Sequence, residues 1–199
     1  MQVSATMVKE LREKTGAGIL DCKEALATTD GDLEKAVDFL RTKGLADAKK
    51  RAGRVASEGL IGSYVHMTGK LGVLVEVNSE TDFVARTDEF QALVKNIAMQ
   101  VAAANPRYLK AEEIPPEEAE REREIFRAQA RESGKPDNVV DKIMEGKFKK
   151  YLTEVCLLDQ SYIKEPGITI SELVQSVIAK LGENIEVRRF VRFQLGEGA

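Results

Sequence analysis

The sequence predicts an α+β protein: a three-helix bundle at the N-terminus, then a three-stranded antiparallel sheet combined with helices and a projecting helical hairpin. Three observations carry this. Apolar residues recur at three- and four-residue steps in three short blocks within residues 4–52. The pattern then switches to two-residue alternation on either side of Thr68-Gly69-Lys70. Alternation returns in residues 184–195, after a second set of helical patterns.

The first helical block carries Met7, Val8 and Leu11 and closes at Thr15-Gly16-Ala17-Gly18. Ile19, Cys22, Ala25 and Leu26 form the second. Leu33, Ala36, Val37 and Leu40 form the third, with Asp30 placed to cap it and Gly44 just past its end. The basic run Lys49-Lys50-Arg51-Ala52-Gly53-Arg54 reads as a solvated helix end and linker, positive charge being favourable at a helix C-terminus. A nucleic-acid patch is the other reading, and it lacks interleaved aromatics. A domain boundary is expected here, giving residues 1–54 and 55–199.

Residues 60–67 and 71–77 make the hairpin. His66 lies near its end with no nucleophile beside it and is expected to be an ordinary strand residue. Phe90, Leu93, Val94, Ile97, Ala98 and Val101 mark a helix that Thr87 or Asp88 can cap. Residues 111–132 are dense in Glu and Arg after Pro115-Pro116, the pattern of a solvated helix laced with opposite charges. Ser133-Gly134-Lys135-Pro136-Asp137 breaks it, and a further helix runs to about Leu158. These two form the expected hairpin, about 111–158. A short extended segment runs from Ser161 to Glu165. Ser171 can cap a helix whose Leu173, Val174, Val177, Ile178 and Leu181 share a face, ended by Gly182.

The last run places Ile185, Val187, Val191, Phe193 and Leu195 on one side. Arg189 interrupts that side, and Phe190 the polar one. A two-stranded hairpin needs a third strand to be stable, and this run supplies it. The free face of such a sheet carries Leu74 and Phe190 among charges. Either a second copy of the chain or a loop of the same chain is expected to cover it.

Composition excludes several functions. The 199 residues are 43 % hydrophobic, enough for a core, and carry a net charge of −3, which opposes broad binding to a phosphate backbone. No apolar run is long enough to span a membrane, and Met1-Gln2-Val3-Ser4 lacks the features of a secretory signal, so a cytoplasmic protein is expected. Two cysteines, Cys22 and Cys156, and one histidine provide neither a disulfide scaffold nor the usual zinc ligands. Neither cysteine is placed as a nucleophile, and no phosphate-binding, serine-hydrolase or zinc-protease motif occurs. No cofactor, metal or enzymatic activity is expected.

One stretch stands apart. The strand pattern ends at Val77-Asn78-Ser79-Glu80, and Thr81-Asp82-Phe83-Val84-Ala85-Arg86 follows at once. An aromatic beside an acid, where a strand gives way to a helix, has the form of a wedge that can enter another molecule. The alternative is that Phe83 and Val84 pack under their own helix.

Four strings together resemble one family, the bacterial translation elongation factor Ts, the guanine-nucleotide exchange factor for elongation factor Tu. They are Val8-Lys9-Glu10-Leu11-Arg12 leading through Thr15-Gly16-Ala17-Gly18-Ile19 to Asp21-Cys22-Lys23-Glu24-Ala25-Leu26; Gly31-Asp32 with Leu40-Arg41-Thr42-Lys43-Gly44; Thr81 to Arg86; and Leu181-Gly182-Glu183-Asn184-Ile185-Glu186-Val187-Arg188-Arg189-Phe190. The resemblance implies an N-terminal fold similar to a ubiquitin-associated domain and a single core subdomain where longer members carry two. It implies elongation factor Tu as partner, with Thr81, Asp82, Phe83 and Val84 set against the region of the partner's Mg²⁺. It also implies a second grip through the N-terminal bundle, for which Arg12, Gly16, Gly18 and Lys23 are candidates, and it favours a homodimer. Gly16 and Gly18 are equally explained by turn geometry. An adaptor that binds peptides or ubiquitin-like surfaces would account for residues 4–52 but has no use for the 81–84 tip. An RNA-binding translation protein would use 49–54 and is opposed by the net charge.

Overall fold

A computed structural model describes residues 3–132, 134 and 136–197. Met1 and Gln2 of the N-terminal reading, and Ser133 and Lys135 of the expected break, lie outside these residues. The chain forms two compact units. One holds the described residues up to Ile61 together with Glu76–Val94 and Glu172–Arg188; the other holds Gly62–Val75, Lys95–Ser171 and the described residues from Arg189 onward.

In the first unit, α1 (Ala5–Thr15), α2 (Ile19–Thr28) and α3 (Leu33–Arg51) form the expected bundle. Its core is Val8, Leu11, Cys22, Ala25, Leu26, Ala36 and Leu40. Ile19, expected on that apolar side, is half exposed. Asp32 rather than Asp30 caps α3: its Oδ1 accepts from the Glu34 and Lys35 N–H groups at 3.1 Å, while Asp30 takes a left-handed turn conformation. Gly44 does not end α3 but lies within it. A Cβ there would stand 3.1 Å from the Ala179 Cβ, so the glycine serves close approach to the helix carrying Ala179.

Strands β1 (Glu58–Val65), β2 (Leu71–Ser79) and β5 (Ile185–Gln194) form the three-stranded antiparallel sheet in the order β1-β2-β5. Val73, Val75 and Val77 of β2 are buried and Leu74 between them is exposed, the alternation of a half-covered sheet. In β5, Ile185 and Val187 are buried. Beyond Arg189 the alternation shifts by one residue, so that Val191 and Phe193 are exposed and Phe190 is partly buried. The free face therefore carries Val191 and Phe193, not Phe190. The irregularity at Arg189-Phe190 is the sequence trace of this shift, the effect an inserted residue has on strand alternation.

The one-turn helix α4 (Asp82–Ala85) and α5 (Asp88–Ala104) follow β2. Thr87 caps α5 by accepting from the Phe90 N–H at 3.2 Å. Helix α8 (Ile170–Leu181) begins two residues earlier than a cap at Ser171 implies, with Ser171 inside its first turn. Strand β4 (Glu165–Thr169) runs straight into it, and the Ile170 N–H donates to the Gln160 carbonyl at 3.0 Å. Gly182 ends α8 at φ 78°.

The second unit contains the helical hairpin, α6 (Pro116–Arg131) and α7 (Asp137–Val155), and the pair β3 (Ser161–Tyr162) and β4. Val140, Met144 and Phe148 line the hairpin's buried side, and the Arg123 guanidinium lies 4.0 Å from the Phe148 ring centroid. Its base is fastened at Glu118, which accepts from the Tyr151 hydroxyl at 2.7 Å and the Tyr108 hydroxyl at 2.8 Å and pairs with Arg107 at 2.9 Å. The Tyr151 and Tyr108 hydrogen bonds hold the Glu118 carboxyl below its ordinary range. Burial, then the hydrogen bond to Glu118, pushes the Tyr151 hydroxyl up to about 12 from an ordinary 10. A raised acid favours the folded chain fully below its unfolded value, and that contribution fades as pH rises from 10 toward 12. The fall in urea midpoint across this alkaline window is expected to be shallower in Tyr151→Phe than in the parent; parallel profiles would dismiss the fastening role.

Candidate partner-binding site

Local chemistry accounts for the tip. Asp82 favours the first turn of a short helix, and Thr81 before it is a good cap. The Thr81 Oγ1 accepts from the Val84 N–H at 3.4 Å. The Ser79 hydroxyl, fully buried, donates to the Thr81 carbonyl at 2.9 Å. At the far end the Thr87 hydroxyl donates to the Val84 carbonyl at 2.8 Å, and the Gln91 side chain donates to the Arg86 carbonyl at 3.3 Å. The loop is thus hydrogen-bonded along both flanks, which holds its backbone and so the directions in which its side chains leave it.

Those directions differ. Phe83 is 77 % exposed and Val84 only 8 %. The ring projects while the valine beside it is anchored in the core. The alternative that both pack under their own helix fails for Phe83 and holds for Val84. Asp82 is partly exposed, and its Oδ2 accepts from Arg86 Nη2 at 2.6 Å. The tip therefore presents an aromatic ring beside an ion pair, not beside a free carboxylate. Both charges face solvent, so the pair adds little to stability.

Longer-range ties hold the base of the loop. Glu183, in the turn between α8 and β5, accepts from the Thr81 N–H at 3.0 Å and the Thr81 hydroxyl at 2.7 Å. In return Glu80 accepts from the Asn184 N–H at 2.6 Å and from Arg54 at 3.4 Å. The Asn184 amide donates to the Arg54 carbonyl at 2.8 Å.

Among the N-terminal candidates, Arg12 and Lys23 are exposed on α1 and α2. Gly16 is the left-handed cap of α1 at φ 68°, and a Cβ there would lie 2.9 Å from Lys180 Cε, whose Nζ reaches Glu89 at 2.7 Å. Gly18 precedes α2 in extended conformation. Turn geometry and packing are sufficient reasons for Gly16. Leu20, 80 % exposed beside Gly18, is an apolar surface residue that the periodicity reading passed over. Arg12, Gly16, Gly18, Lys23 and the 81–84 tip all belong to the first compact unit.

Sequence reasoning missed Arg86, Glu80 and Glu183. The four-residue spacing of Asp82 and Arg86 was a usable signal. Nothing local links Glu183 to Thr81, 102 residues away. Cys22 and Cys156 are buried free thiols, and burial pushes Cys156 up to about 11, away from nucleophilic use. Among the described residues no group of three or more His, Cys, Asp or Glu side chains could hold a metal ion, and no helix is long and apolar enough to cross a membrane.

Fold and loop together define an α+β protein with a helical N-terminal segment and an outward aromatic on a braced strand-to-helix turn. A family model described as Elongation factor TS matches residues 47–197. The chain is 60 % identical over 196 residues to an elongation factor Ts of Heliobacterium modesticaldum, covering 98 % of this chain and 91 % of the relative. It is 58 % identical over 198 residues to one of Geobacter sulfurreducens, covering 100 % and 92 %. A relative of the same name from Thermoanaerobacter sp. is 60 % identical, covering 98 % and 96 %. The chain belongs to the elongation factor Ts family of translation elongation factors.

Proposed function

We propose that this protein is a non-enzymatic guanine-nucleotide exchange factor. It binds GDP-loaded elongation factor Tu in the cytoplasm, displaces the Mg²⁺ that helps hold the nucleotide, and lets GDP leave so that GTP can enter. One observation carries the reading: in a member of this family, the Phe83 ring stands 77 % exposed on a loop whose backbone is held by hydrogen bonds along both flanks.

The physical requirement is differential binding. A nucleotide held at nanomolar Kd sits in a well of about 12 kcal/mol. Accelerating its release ~10⁴-fold takes about 5.5 kcal/mol off the exit barrier. A factor supplies this by binding the distorted or empty GTPase more tightly than the loaded one, and linkage makes nucleotide and factor weaken each other equally. Mg²⁺ demands near-ideal octahedral geometry, so a small displacement beside it has a large effect. Phe83 parts side chains near the metal. Asp82, with Arg86, meets the polar groups there. Thr81 and Val84 fix the tip from below.

The bundle up to residue 54, proposed as a ubiquitin-associated-like domain, gives a second grip through the surface of Arg12, Gly16, Gly18 and Lys23. The remaining residues, 55–199 with the hairpin at 111–158, form the core domain. Two grips within one compact unit raise the effective concentration of each and set the direction of the push. Neither nucleic acid nor membrane has a part in this scheme. The proposed homodimer uses the free sheet face, where Val65, Leu74, Val191 and Phe193 are exposed. Sedimentation is expected to give a dimer at micromolar concentration; a monomer throughout would remove it. For the exchange role the test is release of fluorescent GDP from elongation factor Tu with and without the chain. Release at the spontaneous rate in its presence would defeat the proposal.

A further inference from the structure

We infer that Glu183 is a positioning residue for the tip: its carboxylate, from the turn between α8 and β5, sets the direction in which Phe83 is presented. The inference rests on the proposed role of Phe83 and adds a residue that touches no partner.

The geometry is specific. Thr81 offers two donors, its backbone N–H and its hydroxyl, and both go to the one carboxylate of Glu183, at 3.0 and 2.7 Å. Because the hydroxyl proton is committed to Glu183, the oxygen's lone pairs are left for the Val84 N–H, the contact that caps the tip helix. Glu183 therefore orients the cap, and the cap orients the turn that carries Phe83. The Ser79 hydroxyl on the Thr81 carbonyl fixes the opposite side of the same peptide.

The tie is reciprocal. Glu80, the residue before Thr81, accepts from the backbone N–H of Asn184, the residue after Glu183. Two carboxylates, each accepting from the other segment's backbone, tie the loop to the turn from both sides. Charge-assisted bonds of this kind are stronger than neutral ones and narrower in geometry. A surface ion pair in the place of Glu183 would hold the segments together without fixing a peptide plane. Among the described residues the exposed ring has no comparable hydrogen-bonded anchor, so the direction in which it leaves the backbone is inherited from this base.

The experiment is a double-mutant cycle on GDP release from elongation factor Tu, read as maximal rate and half-saturating factor concentration, with amide hydrogen exchange on the free chain. Glu183→Ala is expected to lower the maximal rate about tenfold with little change in half-saturation, as for a group that acts only at the barrier. In a Phe83→Ala background the same change is expected to cost less than about twofold, because the ring it positions is gone. Glu183→Gln is expected to restore most of the rate. Its amide accepts from the Thr81 N–H and donates to the Thr81 oxygen, keeping the peptide in place. Should alanine unfold the chain, Glu183→Asp keeps the charge, shortens the reach, and is expected to show the same loss. In the free chain, Glu183→Ala is expected to speed exchange of the Thr81 and Val84 amides at least tenfold while α5 amides keep their protection.

Full multiplication of the two single losses, or unchanged Thr81 protection, overturns the inference while the Phe83 role stands. Loss of Thr81 protection with no effect of Phe83→Ala on GDP release overturns the Phe83 role instead and leaves Glu183 as the residue that orders the loop.

Discussion

Phe83→Ala is expected to lower the maximal rate of GDP release from elongation factor Tu by an order of magnitude or more and to leave the factor's own melting temperature unchanged. The second half follows from exposure. A side chain 77 % open to solvent contributes little to the fold, and substitutions of that kind fall within about 0.5 kcal/mol. The first half follows from what the ring can do on burial. Sinking a phenyl ring into a neighbour is worth about 1.5–3 kcal/mol. Applied wholly at the barrier, that is roughly a ten- to hundredfold change in rate. The kinetic form of the loss matters as much as its size. A wedge acts when the metal site opens, so its removal lowers the rate at saturating factor; an anchor acts equally before and after, so its removal only raises the concentration needed. Asp82→Asn is expected to have the smaller effect, because Arg86 already occupies the Asp82 carboxylate. A maximal rate unchanged in Phe83→Ala, with only half-saturation displaced, would reassign the ring from wedge to anchor.

What could be read from the sequence was what neighbouring residues decide among themselves. The three blocks before residue 44, the turn at Gly69 and the helix through Phe90 and Val101 are governed by contacts one to four residues apart, and all are present. Helix ends were less legible, because local signals compete. Asp30 and Asp32 flank the same turn, and only the observed turn conformation selects the second. Gly44 has the look of a terminator until a neighbouring helix is known to need its missing side chain. At the site, the tip and its exposed ring were legible because strand, cap and helix start follow one another directly. The bracing by Glu183 was not, since its spacing from Thr81 is set by the whole intervening fold. The shift in β5 lies between these cases: Arg189 and Phe190 broke the pattern visibly, but a break in alternation does not say on which side the strand resumes.

Gly59→Ala is expected to be the most destabilising single-carbon change in the first unit, although the residue lies in a strand where alanine is ordinarily no worse than glycine. Gly59 has φ 137°, which an L side chain rarely adopts, and a Cβ built there would stand 2.2 Å from the Val77 carbonyl oxygen and 2.7 Å from Asn78 Cα. Both are backbone atoms of the neighbouring strand, so no side chain can swing aside. The start of β1 must leave β2, and Val77, Ser79 and the hydrogen bond from Asn78 to the Ala56 carbonyl lose their setting. Strain and clash together are expected to cost about 3 kcal/mol or more. At the urea sensitivity of a chain this size, that lowers the midpoint by about 1 M. The damage also lies four residues or fewer from Thr81, so GDP release should slow even at temperatures where the variant stays folded. Gly72→Ala is the control: the same residue type in β2, with nothing within 4 Å of its Cβ position and no left-handed φ, so that alanine is tolerated or gains a few tenths of a kcal/mol. Equal urea midpoints for the two variants would mean that the close approach of the strands at Gly59 is not what holds the base of the tip.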